Sequence, residues 1–169
     1  MTSKIYWINT DNNERQLLGT MARPRGNDWL EDEIKGLKYR KVDILVSLLE
    51  RGEIYDLDLQ EEEIFCSQHG IEYINFPIED VQVPKNEDKF TVLAALLADQ
   101  IEHNKSVVIH CRMGIGRSSI LAAAILIRLG YQGEETFEII SKHRGLAVPD
   151  TEEQRNWILS IEKELKLKN

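Results

Sequence analysis

Residues 110–119 read HCRMGIGRSS and lie between a short apolar run, SVVI, and a longer one, ILAAAILIRL. Cys111 and Arg117 are separated by five residues, two of them Gly114 and Gly116, and Ser118 follows the arginine. Glycines at alternate positions let successive backbone N–H groups turn inward as an anion nest. A helix opening near Ser118 adds the positive end of its dipole, and Arg117 supplies a planar fork that grips two phosphate oxygens at once. A cysteine at the mouth of such a nest faces a positive field, which favours the thiolate, the form that attacks. The stretch reads as a cradle for a phosphate ester with a thiolate aimed at phosphorus. Arg112, Met113, Gly114, Ile115, Gly116 and Arg117 would line the phosphate.

Two other glycine loops do not fit. A GxxxxGK[ST] loop needs wider glycine spacing and a lysine where Arg117 stands, and a dinucleotide fingerprint needs a third glycine where Ser119 stands. Departure of an alcohol needs a proton donor opposite the nucleophile. The polar stretch EDVQVPKNED offers Glu79, Asp80, Glu87 and Asp88. Asp80 lies 31 residues before Cys111, a length over which one strand–helix return brings a loop back beside the next strand end.

His-Cys-x5-Arg-[Ser/Thr] resembles the signature of the cysteine-dependent protein tyrosine phosphatases, and the glycine placement resembles their dual-specificity branch. FPIEDVQVP is similar to the acid-bearing loop of phosphatases of the cyclin-dependent-kinase-associated type, and the order of elements from about Met21 onward matches. The resemblance implies that Cys111 attacks phosphorus to form a phosphocysteine, Arg117 binds the phosphoryl oxygens, Asp80 is the general acid, and Ser118 helps the cysteine leave. His110 would orient the loop; a hydrogen-bonded core histidine is the plainer reading. "RGE" is also similar to those phosphatases, so Glu53 would hold Arg117 in plane, with a surface ion pair to Arg51 or Lys35 as the alternative. Gln154 resembles a water-positioning glutamine, although Thr151-Glu152-Glu153-Gln154 equally fits a helix-capping box, which is the preferred reading. No metal and no cofactor is implied. The expected partner is a phosphoprotein, with a protein kinase as substrate by resemblance alone.

These residues need elements to carry them. KIYWI (4–8), QLLGT (16–20), VDILVSLL (42–49), IEYINFPI (71–78) and SVVIH (106–110) read as strands. Helices are expected from Trp29 under an Asp28 cap, over 59–70, over 89–103 with Val92, Leu93, Leu96, Leu97 and Ile101 inward, and over 118–129, 134–143 and 151–165. Alternating strands and helices predict an α/β fold, a mostly parallel central sheet of about five strands with helices on both sides, in one domain over residues 1–169. In such sheets ligands bind at the carboxyl ends of the strands, where HCRMGIGR falls. Trp7, Trp29 and Trp157 read as core or half-buried aromatics, and Arg23 and Arg25 as solvated or flanking the pocket mouth.

Composition narrows the classes. A net charge of −8 argues against broad nucleic-acid or anionic-membrane binding, but not against an anionic substrate held by one arginine and backbone amides. The longest apolar run, ILAAAILI, is about half of a membrane span. The start MTSKIYWINTDNNERQ shows no secretory signal, and two distant cysteines, Cys66 and Cys111, point to a reducing cytoplasm. Cys66 reads as a packed thiol rather than a disulfide partner for Cys111. Rival readings are an arsenate reductase or sulfurtransferase, a non-catalytic phosphoprotein-binding module, and a phosphatase for phosphoinositides or RNA 5′ phosphates.

Overall fold

The computed structural model describes residues 2–9 and 15–167; Met1, residues 10–14 and residues 168–169, included in the expected domain, lie outside it. Among the described residues five strands form one sheet in the order β1-β2-β5-β3-β4. They are β1 (Tyr6–Trp7), β2 (Leu18–Met21), β3 (Ile44–Ser47), β4 (Glu72–Asn75) and β5 (Val107–His110). β1 pairs antiparallel to β2, and the other pairings are parallel. The expected α/β sheet is present, with strands shorter than their apolar runs.

β5 enters last and slots between β2 and β3, so Met21 and Ser47 both stand opposite His110. The chain leaves all four parallel strands at the same end of the sheet, which gathers the segments after Met21, Ser47, Asn75 and His110 on one side of the molecule. β3 and β5 are buried throughout, as a sheet covered on both faces demands. One core includes Ile109, Cys111 and Phe90; the other, across the sheet, includes Val108, Leu45 and Cys66. Alternation along β5 thus sends Cys111 to one face and His110 to the other.

The helices are α1 (Leu30–Tyr39), α2 (Arg51–Asp56), α3 (Glu62–Gln68), α4 (Glu87–Glu102), α5 (Arg117–Arg128), α6 (Gly133–Arg144), α7 (Glu152–Ser160) and α8 (Glu162–Lys166). Several depart from expectation. Asp28 does not cap α1: it sits inside a 3-10 turn, Asn27–Trp29, and α1 starts at Leu30 without a side-chain cap. α2 has no apolar periodicity to betray it and is held by a reciprocal Glu50–Glu53 capping box. The helix expected over 59–70 begins only at Glu62, and the one over 151–165 breaks at Ile161 into α7 and α8.

α4 buries Phe90, Leu93, Ala94, Leu97, Ala98 and Ile101, leaving Val92 and Leu96 exposed. Small alanines at 94 and 98 let the inward stripe rotate past the two larger residues. Trp29 is 56% exposed, more than the core or half-buried place expected of it, because Arg25 rather than the core covers its ring at 4.6 Å.

Phe90 joins α4 to the C-terminal helices: its ring meets Trp157 edge-on at 5.1 Å and Phe76 at 6.1 Å, with no solvent exposure. Phe90→Ala is expected to cost about 3–5 kcal/mol in urea unfolding, since that void is walled by two other rings. A loss below about 1 kcal/mol would show that this corner does not hold the layers together.

Candidate active site

β5 ends at His110, and the next six residues turn back toward β2 before α5 begins at Arg117. Gly114 adopts φ +71, and a Cβ there would lie 2.6 Å from the Met21 carbonyl carbon and 2.8 Å from Ala22 N. Only glycine satisfies both the left-handed backbone and the close approach to β2. Gly116 does not take the special backbone expected of it, having φ −86, and a Cβ there would meet only the ends of the Asp150 and Gln154 side chains, at 2.2 Å and 3.2 Å, which could shift.

The loop's carbonyls are engaged from outside. Cys111 O faces His110 Nδ1 at 3.2 Å, and Arg112 O accepts from Arg23 N–H at 3.2 Å. Arg144 takes the next two: Nη2 donates to Met113 O at 3.2 Å and Nε to Gly114 O at 3.1 Å, with its guanidinium stacked on Tyr6 at 4.1 Å. Peptides whose carbonyls are engaged outward turn their N–H groups inward. Gly114 N–H donates to Cys111 Sγ at 3.3 Å, and the Ser118 hydroxyl lies 3.4 Å from the same sulfur. The Cys111 side is 3% exposed, a buried sulfur with polar neighbours rather than an inert core filler.

Arg117 is the largest fully buried side chain, 1% exposed. Its Nη1 donates to Glu53 Oε1 at 2.7 Å and to Ile78 O at 2.8 Å, and its Nη2 donates to Glu53 Oε2 at 3.0 Å. Nη2 also lies 3.2 Å from Asp80 Oδ1. Nε is buried and has no protein acceptor. Burial lowers the Arg117 pKa, but the Glu53 hydrogen bond and the charges of Cys111, Glu53 and Asp80 outweigh it, so the guanidinium is more firmly protonated than usual. Burial likewise pushes Glu53 up, yet the bonds from Arg117 and Glu50 N–H and the charges of Arg117 and Arg112 carry it below the ordinary glutamate value.

The structure thus brings Cys111, Arg117, Ser118, Glu53 and Asp80 to one spot. Glu53 meets neither Arg51 nor Lys35; its ion pairs are with Arg117 and, at 3.6 Å, Arg112. Asp80 is exposed and accepts from Val81 N–H at 3.0 Å, with Val81 at φ +57, a strained angle for a β-branched residue. Gln154 is fully buried and makes the capping box with Thr151, while its Nε2 donates to Gln82 O at 3.1 Å and lies against Gly116. Capping and proximity to the loop therefore coexist. Met113 is exposed, and Ile115 packs on the α4–α5 core.

Arg25 is bound to buried Glu33 at 3.3 Å, whereas Arg23 lines a cleft of about 450 Å³ with Asn27, Trp29, Asp56 and Asp58. Cys66 is buried in the opposite core, and desolvation, then the charges of Glu62 and Glu63, push its thiol up to about 12. Three neighbours escaped the sequence reading. Arg144 and Asp150 sit in the α6–α7 region with no local motif, and Glu62 looked like one of a surface run of acids. Asp150 is pushed above the usual aspartate range by burial and the Asp80 charge, against Arg117.

A family model described as a polymorphic toxin system DSP-PTPase phosphatase matches residues 19–131, more than half of the chain. The chain belongs to this phosphatase family. It is 35% identical over 85 residues to the putative tyrosine phosphatase 067L of Invertebrate iridescent virus 3, covering 44% of this chain and 34% of that protein. It is 28% identical over 87 residues to 123R of Invertebrate iridescent virus 6, covering 51% and 61%. The chain therefore spans about a third and about three fifths of these two relatives. Rat cyclin-dependent kinase inhibitor 3 matches at 25% over 165 residues, 92% of this chain and 76% of that one. Among solved structures, kinase-associated phosphatase with its catalytic-site cysteine changed to serine superposes with a TM-score of 0.88 at 21% identity, over 100% and 99% of the two chains. Tk-PTP superposes at 0.73 with 22% identity over 94% and 96%. These likenesses show a dual-specificity phosphatase fold.

The Glu53–Arg117 pair has a defined acid signature. Because the folded carboxyl titrates below the unfolded value of about 4.3, its stabilisation is fully present above that pH and is lost as pH falls through the lower folded value. Urea unfolding at a series of acid pH values should show wild type losing more stability below about pH 5 than Glu53→Gln. Equal slopes would contradict the pairing.

Proposed function

We propose that this chain, acting as one phosphatase domain, hydrolyses phosphate monoesters on proteins through a phosphocysteine. Cys111 Sγ attacks phosphorus and forms the S–P bond as the P–O bond to the alcohol or phenol breaks. Asp80 gives its proton to the leaving oxygen. Water then attacks phosphorus, the S–P bond breaks, Asp80 takes back a proton, and the Ser118 hydroxyl stabilises the departing thiolate. Arg117 holds the equatorial oxygens throughout, together with inward N–H groups of residues 112–117.

The observation that supports this most strongly is the Arg117 guanidinium, anchored along one edge by Glu53 and Ile78 O while its buried Nε has no acceptor. A phosphoryl oxygen in the cradle beside Cys111 would satisfy it. A non-catalytic binding module has no use for a buried sulfur contacted by Gly114 N–H and Ser118. Sulfur transfer gives Asp80 no leaving oxygen to protonate, and turnover of arsenate in place of phosphate esters would favour the reductase reading.

A relative solved with PI(5)P, PTPMT1, raises the lipid alternative. Arg112, the loop's extra cation, is already engaged with Glu53, so a polyphosphorylated headgroup gains little here. The likeness to kinase-associated phosphatase makes phosphorylated protein kinases the first proteins to test. Two free thiols favour a reducing compartment, the cytoplasm, as the place of action. No described helix is long and apolar enough to cross a membrane.

Wild-type protein should hydrolyse p-nitrophenyl phosphate with EDTA present, and Cys111→Ser should not. Asp80→Ala should lower kcat about 100-fold with KM little changed. Arg117→Lys loses the fork and should lower kcat/KM by about 100- to 1000-fold. Turnover only with added metal, or Asp80→Ala at wild-type rate across the acid limb of the pH profile, would overturn the mechanism.

A further inference from the structure

A buried acid stands behind the loop, on the sheet face away from Cys111. Glu62, the first residue of α3, is fully buried, and its Oε2 lies 2.8 Å from Nε2 of His110, which is equally buried. Glu62 Oε1 makes no hydrogen bond of ordinary geometry, although the Tyr73 hydroxyl on β4 also reaches toward the carboxylate. Burial and then the Glu62 charge push up both neighbouring weak acids, Tyr73 on β4 and Cys66 on α3. A glutamate fully buried beside a core that holds Leu45, Leu49 and Val108 costs stability unless its partner repays it, and apolar residues at both positions of such a pair are often neutral or stabilising, whereas removing one member strands the other. Packing therefore does not explain its presence.

We propose that Glu62 is a positioning residue that, through His110, sets the orientation of the Cys111 peptide; the inference rests on the phosphatase reading of the loop. The carbonyl of Cys111 can only accept, so His110 Nδ1, 3.2 Å away, carries a hydrogen. Nε2 and Glu62 Oε2 then hold one proton between them, whichever atom it sits on. With the ring so fixed, the Cys111 carbonyl is drawn toward the α3 face. In a planar trans peptide the following N–H, that of Arg112, points the opposite way, into the cradle. Without an acceptor or donor at Nε2, the imidazole is free to take the other tautomer, whose bare Nδ1 repels that carbonyl.

The test compares wild type, Glu62→Leu and Glu62→Gln in three measurements: urea unfolding, the rate of Cys111 alkylation by iodoacetate at one pH, and kcat and KM with p-nitrophenyl phosphate. Glu62→Leu leaves His110 Nε2 unpaired and should lose some stability, and in the folded variant alkylation and kcat should fall about ten- to a hundredfold with KM nearly unchanged. Glu62→Gln, whose amide can donate to Nε2, should recover both rates to within a few-fold. A space-filling role predicts the reverse order, with leucine tolerated and glutamine no better. Glu62→Leu at wild-type alkylation and kcat, or Glu62→Gln falling as far, would overturn the proposal. Should Glu62→Leu not fold, nitrogen-15 NMR of the His110 ring in the wild-type protein decides: a hydrogen on Nδ1 is required, and its absence refutes the arrangement. If wild type turns over no phosphate ester while the alkylation order holds, the phosphatase reading fails and the positioning role stands.

Discussion

Arg117 carries a full positive charge at 1% exposure, and much of the molecule is arranged so that this is tolerable. A lone guanidinium in such a place would cost several kcal/mol. Glu53 supplies a parallel two-bond match, Ile78 O a further acceptor, and Asp80 a third oxygen source. These partners take Nη1 and Nη2 and leave Nε, so the charge is both stabilised and incompletely satisfied. Under the proposed function, one oxygen of a phosphate dianion entering the loop would complete a set of acceptors already mostly in place, which is how a binding site can be rigid before its ligand arrives. The acidic net charge of the chain does not oppose this, because the local field is set by groups a few ångströms away.

The sheet supplies the convergence that such a site needs. Four parallel strands finish at one end of the sheet, and each hands over a different part: Arg23 after β2, Glu53 after β3, Asp80 after β4, and Cys111 with its loop after β5. Placing β5 last, between β2 and β3, puts the loop at the centre rather than at an edge. The approach of Gly114 to the β2 backbone is the steric cost of that central position.

The acid side is less tightly built than the nucleophile side. Cys111, Ser118 and Arg117 are buried, whereas Asp80 is exposed and followed by a strained Val81. That contrast suits the two jobs proposed for them: a nucleophile is held before substrate arrives, while a proton donor must accommodate leaving groups of varied shape.

Cys111, Arg117, Ser118 and the two glycines were legible because they lie in one contiguous stretch, where backbone geometry and residue type alone define an anion nest. The alternation of strands and helices was legible for a similar reason, since apolar periodicity is a local property. Asp80 was reached through the resemblance of its loop to the acid-bearing loop of related phosphatases, with which the length of one strand–helix return is compatible, and Glu53 through its place after a buried strand and a short similar stretch. Arg144 and Glu62 were not legible, because an exposed-looking arginine and one acid in a run of three reveal nothing until folding sets them against a carbonyl or a histidine 30 and 48 residues away. Likewise Val92 and Leu96 matched the apolar stripe of α4, and only packing of Ala94 and Ala98 on the sheet turned them outward. The chain's covalent order determined which chemistry was on offer; tertiary contact decided which carboxylates, carbonyls and ring nitrogens hold it in place, because those interactions depend on separations through space that no local pattern encodes.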